Sequence, residues 1–210
     1  FAFVILAITM YQVQVVPDQN EEIEFKHNER VQDDLVSARD AIVTSASDDT
    51  SPSVTVQLGT AYPSRTIFVN PPPPTGRLET AGTTDSSVNV LIRNAEAIND
   101  ETADYWNGST RNFSTGFLTY TPQYTRYDSA PTTAYEHSIV YNRFETAELP
   151  LSKQVIVRDN RIKLILLDGR LKRTGQRALS IPIKPLSAST QSVTITNASD
   201  TDENLTIELS

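Results

Sequence analysis

Residues 1–16, Phe-Ala-Phe-Val-Ile-Leu-Ala-Ile-Thr-Met-Tyr-Gln-Val-Gln-Val-Val, form the longest apolar tract of this chain and carry no charge. As a helix the tract spans about 24 Å, less than the roughly 30 Å bilayer core that normally takes about 20 residues. A helix that is apolar all round has no face for water and must be buried on every side. With nothing ahead of it to pack on, the tract is expected to find that burial in a membrane or among other copies of the chain. A secretory signal would lose its apolar region on cleavage, whereas here the apolar region is kept at the first residue. Two origins fit such a start: removal of a short charged leader just before Phe1, or a chain that begins within the helix.

Pro17 interrupts the helical pattern, and a charged stretch runs from Asp18 to about Thr44. Val31, Leu35, Ala38 and Ile42 recur there at steps of four, three and four, the spacing of one helical face. Residues 1–44 therefore read as one long helix of roughly 65 Å, kinked near Pro17 by the lost hydrogen bond and the ring clash. The alternative is two shorter helices broken at the proline. Residues 45–53 are small, polar and turn-rich, which predicts a linker.

From Val54 the period changes to two. Short alternating runs predict strands at 54–58, 65–69, 87–92, 116–120, 154–158, 161–167, 179–183, 192–196 and 205–209. Asp159-Asn160 reads as a hairpin turn and Asp168-Gly169 as a second turn. Residues 70–76 hold four consecutive prolines, which must leave any sheet ladder. The expected class is α+β: a long N-terminal hydrophobic helix, then a mostly antiparallel β-sandwich of immunoglobulin-like kind over 54–210. Aromatic residues gather between Tyr105 and Tyr141, either as packing or as a surface for stacking sugars.

Composition narrows the function classes. The chain has no cysteine, so neither a disulfide framework nor a thiolate metal site can form. A net charge of −8 argues against nucleic acid as a partner. Arginine outnumbers lysine 13 to 5, and an acidic, lysine-poor chain suits a salty extracellular setting. The two histidines, His27 and His137, are expected to be solvated or satisfied rather than ligands. Acidic clusters at Asp33-Asp34, Asp48-Asp49 and Asp200, Asp202, Glu203 lack the ligand spacing of a calcium loop. A basic group of Lys163, Arg170, Lys172, Arg173 and Arg177 is suited to meet the acidic helix of a neighbour or to keep a turn soluble. There is no phosphate loop and no nucleophile elbow; no enzyme, metal or cofactor is expected.

Four Asn-X-Ser/Thr triplets, at Asn107, Asn112, Asn197 and Asn204, lie in the β-rich part and none in the helix. Each marks a candidate N-glycosylation site on an exported chain.

Taken together, the apolar tract opening on Phe1, the early Pro17 within Tyr-Gln-Val-Gln-Val-Val-Pro, and the sequon-bearing β part resemble a mature archaeal, haloarchaeal-like, type IV pilin. The likeness rests on about 45 residues. Position 5 is Ile rather than the glutamate of many bacterial pilins, a feature archaeal pilins commonly share. The resemblance implies a structural subunit that polymerises with itself into an extracellular filament for surface adhesion or cell contact. It also implies membrane insertion before assembly, a leader peptidase and a pilus assembly machinery. Phe1, Phe3, Val4, Ile5, Leu6, Ile8, Met10, Val13, Val15 and Val16 would then form the filament core, with the kink at Pro17. The competing expectation is a membrane-anchored monomeric surface glycoprotein whose β domain binds a ligand.

Overall fold

The computed structural model describes residues 1–66, 69–84, 88–186, 192–198 and 204–210. Its class is α+β, a continuous N-terminal helix followed by antiparallel sheets. The helix comprises α1 (Ala2–Met10), a π turn over Tyr11–Val15 and α2 (Val16–Asp48). The π turn answers Pro17 directly. Proline has no N–H for the carbonyl four residues back and its ring crowds that carbonyl, so the turn ahead of it widens. The Val16 N–H accordingly donates to the Tyr11 carbonyl, five residues back. One continuous helix thus holds rather than two broken ones.

The helix ends at Asp48, inside the stretch expected to be linker. Asp49 takes a left-handed conformation (φ 53°) and stops it. The buried Ser45 hydroxyl donates to the Thr50 carbonyl at 2.7 Å, which holds the chain as it turns back. No helix among the described residues is long and apolar enough to cross a membrane.

The strands are β1 (Ser53–Gln57), β2 (Thr75–Ala81), β3 (Asn89–Arg93), β4 (Ala95–Ala97), β5 (Arg111–Ser114), β6 (Phe117–Gln123), β7 (Thr132–Glu136) and β8 (Ile139–Arg143). They continue as β9 (Glu148–Pro150), β10 (Val157–Arg158), β11 (Arg161–Ile162), β12 (Leu171–Gly175), β13 (Ala178–Pro182), β14 (Ile195–Asn197) and β15 (Thr206–Leu209). A six-stranded antiparallel sheet in the order β12-β2-β6-β7-β8-β9 forms the main layer. Smaller sheets pair β1 with β13, β10 with β11, β14 with β4, and β15-β3-β5.

Val31, Leu35, Ala38 and Ile42 of α2 enter one core with Val56, Leu58, Leu78, Leu118, Tyr120, Tyr135 and Val140. The alternating burial of β2 and β6 turns Leu78, Leu118 and Tyr120 toward the helix, as period two requires. Tyr120 keeps its hydroxyl paired by donating to the Leu58 carbonyl at 2.9 Å. Gly76 lies against this ring, and a Cβ there would collide with it. A second cluster, Val90, Ile92 and Ala95 with Trp106, Phe113, Ile195 and Ile207, holds the smaller sheets.

The turn at Asp159-Asn160 does join two strands, but they are only two residues long, and the runs expected over 154–158 and 161–167 are mostly irregular. Ile156 is buried, and Ile165 and Leu167 pack against the main core from outside a ladder, so their alternation serves the core alone. Residues 65, 66 and 69 of another expected strand are not in one, and residues 67 and 68 lie outside the described residues. The hairpin β7–β8 has no Asn-Gly signal; its turn residues His137 and Ser138 both take positive φ (48° and 66°).

Candidate functional site

Residues 16–48 dock on the sheets, whereas among the described residues α1 packs only on the π turn that follows it. No residue of α1 or of the π turn is buried in the subunit. Phe1, Phe3, Val4, Ile5, Leu6, Ile8, Met10, Val13 and Val15 all present apolar surface to solvent, with Phe3 82% and Val13 66% exposed. An apolar patch of this extent marks an interaction surface, because a monomer gains nothing by wetting it.

Three polar groups of the tract have partners within the subunit, although Gln12 Oε1 is buried and, among the described residues, accepts no hydrogen bond. Thr9 donates to the Ile5 carbonyl at 2.9 Å, and the Gln12 amide donates to the Val69 carbonyl at 3.1 Å. The Tyr11 hydroxyl accepts from Gln19 at 3.4 Å. Burying α1 among neighbours therefore strands none of these donors.

Val16 departs from the expected role. It is 2% exposed and lies within the subunit, so it is not available to a neighbouring copy. The apolar run in the sequence hides the point at which the chain's own surface starts to cover the helix. The segment after β1 does part of this covering. Arg65 donates to the Gln19 side chain at 2.8 Å, and Tyr62 donates to Glu24. Pro17, expected at a kink, sits just after the π turn where docking starts.

Above the apolar half of its buried face, α2 buries a polar stripe: Asn20, Glu24, His27 and Asn28. The Glu24 carboxylate accepts the backbone N–H groups of Thr125, Arg126 and Tyr127 at 3.0, 2.8 and 2.7 Å. Burial, reinforced by that carboxylate, pushes the Tyr62 hydroxyl up to about 12, which keeps it a donor. Three consecutive amides and a phenol on one carboxylate pin the segment after β6 to the helix. Asn20 is fully buried, and among the described residues neither polar atom of its amide has a partner.

His27 lies three residues beyond Glu24. Its Nε2 is 3.0 Å from the Gln57 carbonyl, which only accepts, so Nε2 carries the hydrogen and Nδ1 accepts from the Tyr124 hydroxyl at 2.7 Å. Burial pushes this imidazole down to about 4. The unfolded chain, at about 6.5, takes up its proton first as pH falls. Stability is thus full above about pH 6.5 and is lost progressively toward pH 4, by up to about 3 kcal/mol at ~1.4 kcal/mol per unit. Denaturant unfolding at pH 7, 6, 5 and 4.5 should show this slope, and His27→Gln should remove most of it. An unchanged slope in that variant would assign the acid sensitivity to other groups.

The sequence reading missed this stripe. Its signal was the continuation of the Val31–Ile42 face backward in steps of three and four through polar residues, where apolar periodicity no longer marks it.

The remaining candidates are scattered. Asn107, Asn112, Asn197 and Asn204 are all exposed; Ser199 of the third triplet lies outside the described residues. Asp200, Asp202 and Glu203 also lie outside them. Asp34 accepts the Gln57 N–H at 3.0 Å, and burial raises its carboxyl. Among the described residues no group of three potential metal-binding side chains comes together. Tyr120 and Tyr135 are core, Trp106 and Phe113 pack on the second cluster, and Tyr124 stacks on Tyr127 at 6.1 Å beside Phe25. Most of the aromatic segment is thus committed to packing.

Comparison of the chain with protein-family models, with curated proteins and with solved structures returns no match.

Proposed function

We propose that this chain is the structural subunit of an extracellular, type IV pilus-like helical filament for surface adhesion or cell contact. The observation that carries the reading is the division of one helix: residues 16–48 are docked, while none of residues 1–15 is buried and only Gln12 reaches the body of the subunit, among the described residues. Packed among copies, each large apolar side chain there contributes roughly 1.5–3 kcal/mol. Phe3, Ile5, Leu6 and Ile8 alone make that a large sum per subunit. The absence of any polar face on α1 suits a site surrounded by neighbours on all sides.

On this reading the sheets form a sandwich of immunoglobulin-like kind facing solvent, and the four exposed asparagines are glycan acceptors. The free chain waits in the membrane for a pilus assembly machinery. Electron microscopy of native material sheared from cells without detergent should reveal thin helical filaments with this chain as the repeating subunit. Dispersed particles, or release only by detergent, would instead favour a membrane-anchored surface glycoprotein.

A further inference from the structure

We propose that the hairpin β10–β11 of one subunit docks on the acidic outer stripe of α2 of a second copy. The filament reading supplies the setting for this contact.

The hairpin is firmly based. Ile156 is buried at its foot, and the Lys163 N–H donates to the Ile156 carbonyl at 2.7 Å. The Gln154 side chain brackets Val157, accepting its N–H and donating to its carbonyl, each at 3.1 Å. Beyond these anchors residues 157–161 are exposed. Arg158 stands directly opposite Arg161 in the ladder, and like charges so placed repel. Among the described residues neither guanidinium has an ion pair or hydrogen bond to relieve that repulsion. Two forked donors on a rigid tip, with Val157 46% exposed beside them, call for carboxylates next to an apolar group.

The outer face of α2 offers that pairing. Asp18, Glu22, Glu29 and Asp33 fall on one side of the helix, opposite the buried face, and all are exposed. Among the described residues only Glu22 is paired, with Lys26 at 2.6 Å, and Asp18, Glu29 and Asp33 have no ion pair. Phe25 lies on the same side with 44% of its surface exposed.

The two patches cannot satisfy each other within one chain. The base of the hairpin sits beside the far end of α2, where Lys163 donates to Ser47. Fourteen residues separate Ser47 from Asp33, about 21 Å of helix. A contact between two different patches on identical copies is heterologous and propagates as an open polymer when its rotation does not close.

The cysteine-free chain makes the test direct. Asn160→Cys and Glu29→Cys chains are mixed in equal amounts and oxidised. The expected product is a mixed disulfide dimer, several-fold more abundant than either homodimer. Adding Arg158→Glu and Arg161→Glu to the first chain should cut it at least tenfold, and Asp33→Arg in the second should restore it. A mixed dimer no more abundant than the homodimers, or one insensitive to the arginine changes, overturns the contact. Filaments of the unaltered chain are scored separately by electron microscopy. Cross-linking without filaments keeps the contact and rejects the filament; filaments without cross-linking do the reverse; absence of both rejects both.

Discussion

Ile5→Asp and Leu6→Arg are expected to abolish filaments while leaving the fold of the subunit intact. Ile5 and Leu6 are 59% and 57% exposed, and α1 contributes no residue to either core, so neither change removes a contact on which the fold depends. In the filament each would place a charge among apolar helices, where an uncompensated charge costs several kcal/mol. At 1.4 kcal/mol per factor of ten, even ~3 kcal/mol per contact raises the concentration needed for assembly more than a hundredfold. Pelleting and electron microscopy read assembly, and thermal unfolding of the same preparations reads the fold. Filaments at normal yield from either variant would remove this tract from the assembly core. Val16→Asp separates the two roles, because Val16 is buried in the subunit and its replacement should lower the unfolding temperature, which the Ile5 and Leu6 changes should leave alone.

The second large effect is expected at Glu24. Glu24→Ala leaves the N–H groups of Thr125, Arg126 and Tyr127 and the hydroxyl of Tyr62 without their acceptor. Hydrogen bonds to a charged group contribute about 1.5–3 kcal/mol each, and water reaches the exposed Thr125 and Arg126 once the carboxylate is gone, so a loss of about 3–5 kcal/mol is expected. Tyr62→Phe removes one donor and keeps the acceptor, and should cost only about 1 kcal/mol. Hydrogen exchange supplies the local readout: the amides of residues 125–127 should lose protection in Glu24→Ala, while those of β7 and β8 keep theirs. Unchanged protection at the three amides, with stability within 1 kcal/mol, would show that the carboxylate is not what holds this segment.

Much of the architecture could be read from local pattern. The helix was legible because apolar residues recur at steps of three and four from Val31 to Ile42, and the change at Val54 to alternation marked the sheets. The hairpin turn at Asp159-Asn160 was legible because Asp159 needs a positive φ that few residues tolerate. The hairpin β7–β8 was not, since His137 and Ser138 occupy positive φ without being the residues that usually announce it. Strand β2 was hidden behind the proline run; it begins at Thr75, immediately after the last of the four prolines, and includes Gly76. Gly76 is there because the Tyr120 ring needs the space, a requirement that arises on another strand.

The sequence by itself determined that residues 1–16 form an apolar tract with no face for water and that a long helix leads into antiparallel strands. Both properties are periodic and local, since side chains three, four or two positions apart share a face whatever the rest of the chain does. Only the tertiary structure decided where the exposed tract stops and the docked face begins. Val16 is as apolar as Val15, yet it alone is covered. Glu24 and His27 look like ordinary residues of a solvated helix until distant segments supply three amides, two tyrosine hydroxyls and the Gln57 carbonyl. A buried polar group is defined by its partners, and these partners lie 30 to 103 residues away in the chain.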